Sequence, residues 1–215
     1  MQEPSANQWD QIYRRDGRVF LKPVQIVKDF IAELKVQGCQ NILDLGCGTG
    51  RHLVYLAEQG FTSFGLEISH SGVEQANEWL KSVDLNGALT LADMRAPLPY
   101  KDNSFDALIS TQVIHHAYLQ TVRETAREIG RIVRSGGLIL ISVPAWRALE
   151  NDGMEKPSEE VELRTYLPIA GSEKGLPHHL FHQNELPELF PDFQVSDLWT
   201  IDEQIIVLKA EKKQI

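Results

Sequence analysis

The sequence predicts an α/β protein with a doubly wound, mostly parallel seven-stranded sheet and helices on both faces. Five short apolar runs alternate with segments of helical periodicity, and apolar strands separated by helices are typical of a parallel sheet covered on both sides. The last two strand-like runs, FQVSDLWTI and EQIIVLKAE, are separated by only a few residues around Asp202. Such a short connection permits an antiparallel hairpin but no crossover helix.

The elements follow in a regular order along the chain. An amphipathic helix begins after Pro23 and ends near Gly38, because its apolar residues recur at helical spacing. Gly136 and Gly137 close the last helix before the fifth strand. The strands are predicted at 41–46, 62–69, 88–93, 105–111 and 138–143, and the first two helices between them at 51–60 and from Ser69 or Ser71.

We expect one domain, residues 1–215, because this length holds a sizeable core in a single unit. The insertion after the fifth strand is too long for a simple connection, and its prolines and glycines are expected to interrupt any regular element. Since the fifth strand ends at the same edge as the glycine loop after the first, we expect the insertion to form a flap there. The predicted parts are N-terminal helices (1–40), a core (41–143), the insertion (144–182), and a last helix with the hairpin (183–215).

Composition and charge narrow the class of protein. With 42% hydrophobic and 24% charged residues the chain has ordinary globular composition, and no window holds the ~20 apolar residues of a membrane span. The first residues carry no secretion signal, so we expect a soluble, cytoplasmic protein. A net charge of −9 disfavours a general electrostatic grip on nucleic acid. Two cysteines, Cys39 and Cys47, exclude a disulfide framework and a cysteine-based zinc site.

The segment NILDLGCGTGRHL, residues 41–53, combines a buried strand, one acid and a glycine-rich loop. Glycines after the first strand of such a sheet let the backbone approach a ligand closely. A dinucleotide site would read G-x-G-x-x-G and bind a pyrophosphate, whereas here Asp44 precedes the first glycine by two residues and would repel one. The loop therefore favours a ligand that carries positive charge.

Within this segment, LDLGCGTGR resembles the first motif of class I S-adenosylmethionine-dependent methyltransferases. GLEIS, LADMRAPLPYKDNSFDALIST and RIVRSGGLILISVP are similar to later segments of the same family and follow in the family's order. The resemblance covers residues 9 to 143 well and the hairpin more loosely. It implies a Rossmann-like methyltransferase fold and S-adenosylmethionine as the cofactor.

The resemblance also implies roles for single residues. Asp44 with the Gly46 and Gly48 backbone would hold the methionine part, and Glu67 would accept hydrogen bonds from the two ribose hydroxyls. Asp93 and the Met94 amide would read the adenine edge, and the Thr111 carbonyl would accept a hydrogen bond from the methionine ammonium. The remaining residues assigned to the cofactor site are Tyr13, Cys47, Gly50 and Ile68.

The segment WDQIY near the N-terminus resembles a segment that family members often fold over the cofactor. Trp9 and Tyr13 stand at i and i+4, so one helical face can present both rings as a lid. Ordinary docking of an N-terminal helix explains the pattern equally well.

His115 and His116 follow the fourth strand, which places them near the transferable methyl group. They are candidate general bases, although pocket-wall or helix-capping roles stay open.

For the acceptor pocket the sequence offers a second group of histidines. In the resembling family a His-aromatic stretch before a short helix commonly lines this pocket, which makes His178, His179 and Phe181 candidates, together with Trp146 of the insertion. No acid at matching spacing accompanies His178, His179 and His182, so we expect no metal.

Three functions stay open at this point. The first is a methyltransferase acting on a small-molecule acceptor. The second is a tRNA methyltransferase of the wobble-uridine type, because the IHH and HxF…EL patterns also occur in such enzymes, although the net charge of −9 weighs against it. The third is a protein that binds S-adenosylmethionine without catalysis.

Overall fold

The structure, a computed structural model, describes residues 6–149 and 158–214. Within these residues it contains six α-helices, one 3₁₀ helix and ten strands. The α-helices are α1 (Ala6–Asp16), α2 (Gln25–Val36), α3 (Arg51–Glu58), α4 (His70–Ser82), α5 (Leu119–Ile132) and α6 (Glu185–Glu188), with a 3₁₀ turn at Trp146–Leu149. The strands are β1 (Asn41–Leu45), β2 (Thr62–Glu67), β3 (Ala88–Leu91), β4 (Phe105–Thr111), β5 (Val133–Pro144), β6 (Ser158–Glu162), β7 (Thr165–Pro168), β8 (His178–His179), β9 (Phe193–Ile201) and β10 (Ile205–Lys212).

Seven of the strands form one twisted sheet in the order β3-β2-β1-β4-β5-β10-β9. The first five strands in that order pair in parallel, and β10 runs antiparallel between β5 and β9. The predicted fold, a mostly parallel seven-stranded sheet with a C-terminal hairpin, is confirmed. The strand order reverses between β1 and β4, and the carboxyl ends of these two strands open the crevice where sheets of this kind bind ligands.

The central strands β1 and β4 are mostly apolar, and helices cover both of their faces. Ile42 belongs to a cluster that includes the buried face of α2, whereas the next residue, Leu43, belongs to a cluster that includes the buried face of α5. Successive side chains of a strand point to opposite faces, so every position of β1 between two helical layers must be apolar or otherwise satisfied. The one charged residue in β1 is Asp44, which is 1% exposed.

Two expectations about the elements were wrong. β5 begins at Val133, directly after α5, rather than at 138, and Gly136 with φ of 68° forms a turn within it. The insertion also contains regular structure, because β6, β7 and β8 form a separate antiparallel sheet. Pro168 ends β7 and so costs that strand no interior hydrogen bond. Residues 150–157 of the predicted flap lie outside the described residues.

Helix α1 is fastened to the N-terminus of α4 by side-chain hydrogen bonds. Asp10 Oδ1 accepts hydrogen bonds from Ser69 Oγ at 2.8 Å and from the Ser71 amide at 2.7 Å. Gln75 Nε2 of α4 donates to the Tyr13 carbonyl at 2.9 Å. Since α4 starts at the carboxyl edge of β2, these bonds hold α1 over the crevice.

We expect Asp10→Ala to loosen α1 without unfolding the sheet. The substitution removes both bonds to α4, and losing about 1.4 kcal/mol of local stability corresponds to roughly tenfold faster amide exchange. Hydrogen exchange followed by mass spectrometry should show this change in α1 only. Asp16→Ala in the same helix, whose carboxylate pairs with the adjacent Arg15, is the matched control. Equal exchange in the two variants would contradict the role of Asp10.

Candidate active site

The loop after β1 needs bare backbone because other side chains press against it. Gly46 and Gly48 have φ of 73° and 54°, which glycine adopts without strain. A Cβ on Gly46 would lie 2.3 Å from Val113 Cγ1, and one on Gly48 would lie 2.9 Å from the Tyr13 hydroxyl. The glycines therefore leave room for Val113, which follows β4, and for Tyr13 of helix α1. They also let a ligand approach the backbone closely.

Glu67, at the end of β2, is held by the backbone through both carboxylate oxygens. Oε2 accepts a hydrogen bond from the Gly48 amide at 2.9 Å, and Oε1 accepts one from the Ser69 amide at 2.8 Å. Burial raises the pKa of this carboxyl, and the hydrogen bonds from Ser69 and Gly48 oppose that shift. Each oxygen keeps a further acceptor site, which leaves the two oxygens available to a pair of hydroxyl groups.

Asp44 is a buried carboxyl group at the start of the glycine loop. Its Oδ2 has no hydrogen-bond partner among the described residues. Burial raises its pKa to about 7; Glu67 adds to the shift, while the Arg51 guanidinium opposes it. A buried carboxyl in this state gains from any cation that comes near it. A positively charged ligand, which the sequence favours, would stabilise the ionised form of Asp44.

The loop after β3 supplies Asp93 and Met94 beside Ile68, and all three line the same cleft. Asp93 is paired with Arg95, whose Nε and Nη2 donate to the carboxylate at 2.8 and 2.7 Å. Burial raises the Asp93 pKa, but the bonds from Arg95 outweigh burial and hold the pKa below its ordinary value. Asp93 is therefore an oriented carboxylate, a state that the sequence did not reveal.

One cleft of about 620 Å³ joins these groups at the carboxyl edge of the sheet. Its size lies within the range of small-molecule and cofactor sites. Asp44 and Gly50 are buried below its surface rather than in its lining. The lining brings together most of the predicted site residues: Tyr13, Gly46, Cys47, Gly48, Glu67, Ile68, Asp93, Met94, Thr111, His115, His116 and His178.

Three histidines that line the cleft lie close together. The ring centroids of His115 and His116 are 3.9 Å apart, and His178 lies 4.6 Å from His116 and 5.6 Å from His115. The His179 amide donates to the His115 carbonyl at 2.9 Å, which docks β8 beside the loop after β4. Trp9 of α1 packs edge-on against His116 at 4.9 Å and covers the group.

The buried histidines are weak bases. Burial lowers the pKa of His116 to about 3, with His178 adding to the shift, and burial lowers the pKa of His115 well below its ordinary value, with the neighbouring imidazoles adding to it. Both rings are therefore neutral at pH 7 and hold a proton poorly. This electrostatic state favours hydrogen bonding over general-base catalysis, so the predicted base role of His115 and His116 gains no support from it.

Cys47 also lines the cleft but is not a nucleophile. Burial raises the pKa of its thiol well above the ordinary value, and the carboxylates of Asp44 and Glu67 raise it further. Only a thiolate attacks efficiently, so this thiol is inert at neutral pH. A small buried side chain in a tight loop accounts for it.

Three of the predicted acceptor-pocket residues lie away from the cleft lining. His179 points to the other side of β8, where Nδ1 lies 2.8 Å from Thr165 Oγ1. Phe181 is fully buried in the hydrophobic core, and Trp146 packs against His182 with ring centroids 5.4 Å apart. Alternation along β8 explains the difference, because His178 and His179 must face opposite sides. His178 alone of this group faces the cleft.

Sequence reasoning missed several cleft residues, among them His52, Gln112 and Glu173. His52 in the first turn of α3 approaches Thr111 Oγ1 with Nδ1 at 3.4 Å, and its position directly after the glycine loop was an available signal. Gln112 adopts φ of 57° directly after β4, and its buried Nε2 has no partner among the described residues. Strained backbone at such a position is typical of functional sites. Glu173 comes from the insertion, where no motif marks it.

The sheet order, the glycine loop and the acids at the ends of β1, β2 and β3 form a Rossmann-like arrangement with a cleft at the carboxyl edge of the sheet. Residues 43–141, somewhat less than half of the chain, match the family described as "Methyltransferase domain". This match supports the class I S-adenosylmethionine-dependent methyltransferases, the class that the sequence resemblance implied. S-adenosylmethionine, the predicted cofactor, is the cofactor of this class.

Individual relatives differ in their acceptors. The chain is 30% identical to methyltransferase GfsG of Streptomyces halstedii over 55% of its own length and 42% of that protein. It is 34% identical to the tRNA (carboxymethyluridine(34)-5-O)-methyltransferase of Arabidopsis thaliana over 52% of its own length and 25% of that protein. The match therefore spans less than half the length of either curated relative.

Among solved structures, the chain is similar to the 1,6-didemethyltoxoflavin-N1-methyltransferase of Burkholderia thailandensis, which was solved with 1,6-didemethyltoxoflavin and S-adenosylhomocysteine. The TM-score is 0.70 at 18% identity, covering 97% of this chain and 88% of that one. The TM-score shows that the two chains share a fold, and at an identity this low the similarity shows nothing beyond the fold. Among the described residues, no helix is long and apolar enough to cross a membrane.

We expect Glu67→Ala to weaken S-adenosylhomocysteine binding by about 2–3 kcal/mol, the scale of losing charge-assisted hydrogen bonds. Titration calorimetry measures the change. Glu67→Gln, which keeps the shape and one acceptor oxygen, should lose less and serves as the matched control. Unchanged affinity in Glu67→Ala would remove this residue from the site.

The affinity for S-adenosylhomocysteine should fall as the pH falls through 7. Asp44, with a pKa of about 7 in the free protein, must be ionised to stabilise the ligand's ammonium group, so affinity should drop about tenfold for each pH unit below that pKa. The same raised pKa makes the free protein less stable as the pH rises from about 4 to 7. In Asp44→Asn the pH dependence of binding should disappear. A flat profile in the unsubstituted protein would contradict the role of Asp44.

Proposed function

We propose that the protein transfers the methyl group of S-adenosylmethionine to a small-molecule acceptor. The observation that carries this proposal is that the glycine loop, Glu67 and Asp93 line the same cleft as His115, His116 and His178, the histidines that we call its acceptor end. The cofactor would occupy the part of the cleft at the glycine loop, with its cationic ammonium near Asp44 and its ribose hydroxyls at Glu67. The sulfonium methyl would then face His115, His116 and His178, where an acceptor has room.

In the reaction, a nucleophilic atom of the acceptor forms a bond to the methyl carbon while the bond from that carbon to the sulfonium sulfur breaks. The positive charge on sulfur is neutralised, S-adenosylhomocysteine leaves, and the proton of the acceptor passes to solvent water. Because the sulfonium is already an activated leaving group, alignment of the two reactants supplies much of the acceleration. The loop after β4, which begins with the strained Gln112, is suited to that alignment.

The character of the acceptor end favours an uncharged polar acceptor. Neutral imidazoles donate one hydrogen bond and accept another, and the indole of Trp9 adds an aromatic wall. The Glu173 carboxylate lies 3.2 Å from His178 Nε2. A hydrogen bond to His178 would orient a hydroxyl or amine of the acceptor.

A tRNA acceptor is the second candidate, and the similarity to the Arabidopsis tRNA methyltransferase is the observation that favours it. The net charge of −9 opposes it, because RNA affinity depends on neutralising phosphates with lysine and arginine. We therefore place the small-molecule acceptor first.

Turnover assays with methyl-labelled S-adenosylmethionine test the proposal. We expect methyl transfer to members of a panel of small hydroxyl, amine and thiol metabolites, and none to total tRNA. His178→Ala should lower kcat/KM at least about tenfold while S-adenosylhomocysteine affinity stays within about twofold, because this side chain lies at the acceptor end. His182→Ala, an exposed imidazole outside the cleft, is the control.

Two outcomes would contradict the proposal. Methylation of tRNA alone, with a salt-dependent gel shift, would favour the second candidate. Tight S-adenosylhomocysteine binding without turnover on either class would favour a non-catalytic binding protein.

A further inference from the structure

The three histidines at the acceptor end converge more closely than orienting an acceptor through His178 would require. One ring nitrogen from each of His115, His116 and His178 lies within 4.8 Å of the other two. Some point is therefore within about 2.8 Å of all three nitrogens, against about 2.0–2.1 Å in a zinc–imidazole bond. Side-chain shifts of less than about 1 Å would bring all three to bonding distance.

Burial leaves these nitrogens in need of a partner. Nδ1 of His115 and Nδ1 of His116 are inaccessible and have no hydrogen-bond partner among the described residues. Buried polar atoms of native proteins are nearly always satisfied, by protein, water or an ion. Buried, unpartnered nitrogens on adjacent rings of a convergent group of imidazoles are an arrangement that a single central ligand would satisfy.

Glu173 adds a carboxylate to the three imidazoles. Its Oε2 lies 3.2 Å from Nε2 of His178, and a carboxylate beside a ligating histidine is a recurring feature of metal sites. Three histidines with one carboxylate suit a borderline divalent ion such as zinc, cobalt or nickel, rather than calcium or magnesium. The sequence grouped His178 with His179 and His182 and so gave no reason to expect a metal, whereas the fold groups it with His115 and His116.

We propose that His115, His116 and His178, supported by Glu173, bind one divalent transition-metal ion at the acceptor end of the cleft. Helix α1 covers this position through Trp9. Gln8 of the same helix donates to the Lys174 carbonyl at 2.6 Å, next to Glu173, so opening α1 provides the entry path. Binding of the ion is independent of the proposed function. Its use to ionise an acceptor hydroxyl as a Lewis acid would rest on that function.

Zinc titration of the chelator-stripped full chain, without cofactor, tests the proposal. Competition with a chromophoric chelator at pH 7.5 should give one equivalent of bound Zn²⁺, and Co²⁺ should give the visible spectrum of a tetrahedral nitrogen-rich site. His116→Ala and His178→Ala should each weaken Zn²⁺ binding at least about 100-fold, and Glu173→Gln about 10- to 100-fold. His70→Ala and His182→Ala, which remove exposed imidazoles outside the cluster, should change it less than about threefold.

Folding is checked by the shift in melting temperature that S-adenosylhomocysteine produces in each variant. Glu173→Gln, a nearly isosteric change, keeps the test decisive if an alanine variant fails to fold. The proposal is overturned if the unsubstituted chain binds no zinc, or if folded cluster variants bind it as tightly as the controls. A chain that binds zinc but not S-adenosylhomocysteine would refute the proposed function and leave the metal site standing.

Discussion

The hydrogen bond from the Gly48 amide to the buried Glu67 carboxylate joins the ends of β1 and β2, and the site is arranged around it. The bond fixes the glycine loop, and the same carboxylate accepts the Ser69 amide at the start of α4. Ser69 in turn bonds to Asp10 of α1. A chain of bonded groups therefore runs from the sheet edge to the helix that covers the cleft, and it requires bare backbone at Gly48, where the Tyr13 hydroxyl presses closest.

The residues around the glycine loop and the histidines of the acceptor end differ in charge. Asp44, Glu67 and Asp93 gather negative charge around the glycine loop, where burial keeps Asp44 in need of a cation. The acceptor end holds imidazoles that burial keeps neutral. A ligand with a cationic group and two hydroxyls suits the residues around the glycine loop, whereas the acceptor end suits an uncharged polar group or a metal ion. The difference in charge therefore favours one orientation of a bound ligand in the cleft.

Two segments far apart in the sequence close the cleft together. Gln8 of α1 bonds to the carbonyls of Ser172 and Lys174 in the insertion, and Trp9 rests on His116. The insertion contributes Glu173 and His178 to the same wall. Because these contacts link the cover to the acceptor end, movement of α1 would open both parts of the site at once, as in enzymes that close a lid on bound substrate.

The sequence by itself determined the sheet, the hairpin and the glycine loop, because hydrophobic periodicity and the motif at residues 41–53 are local properties of the chain, and the order of its motifs carried the family resemblance. It also placed Asp44, Glu67 and Asp93 at strand ends, since parallel strands end at a common edge. Only the tertiary structure decided that Asp93 is paired with Arg95, that the insertion folds into its own small sheet, and that His178 faces the cleft while His179 does not. These outcomes depend on pairing across long sequence separations, as when the His179 amide reaches the His115 carbonyl, and no local pattern encodes which of two adjacent histidines will face a cleft formed by distant residues.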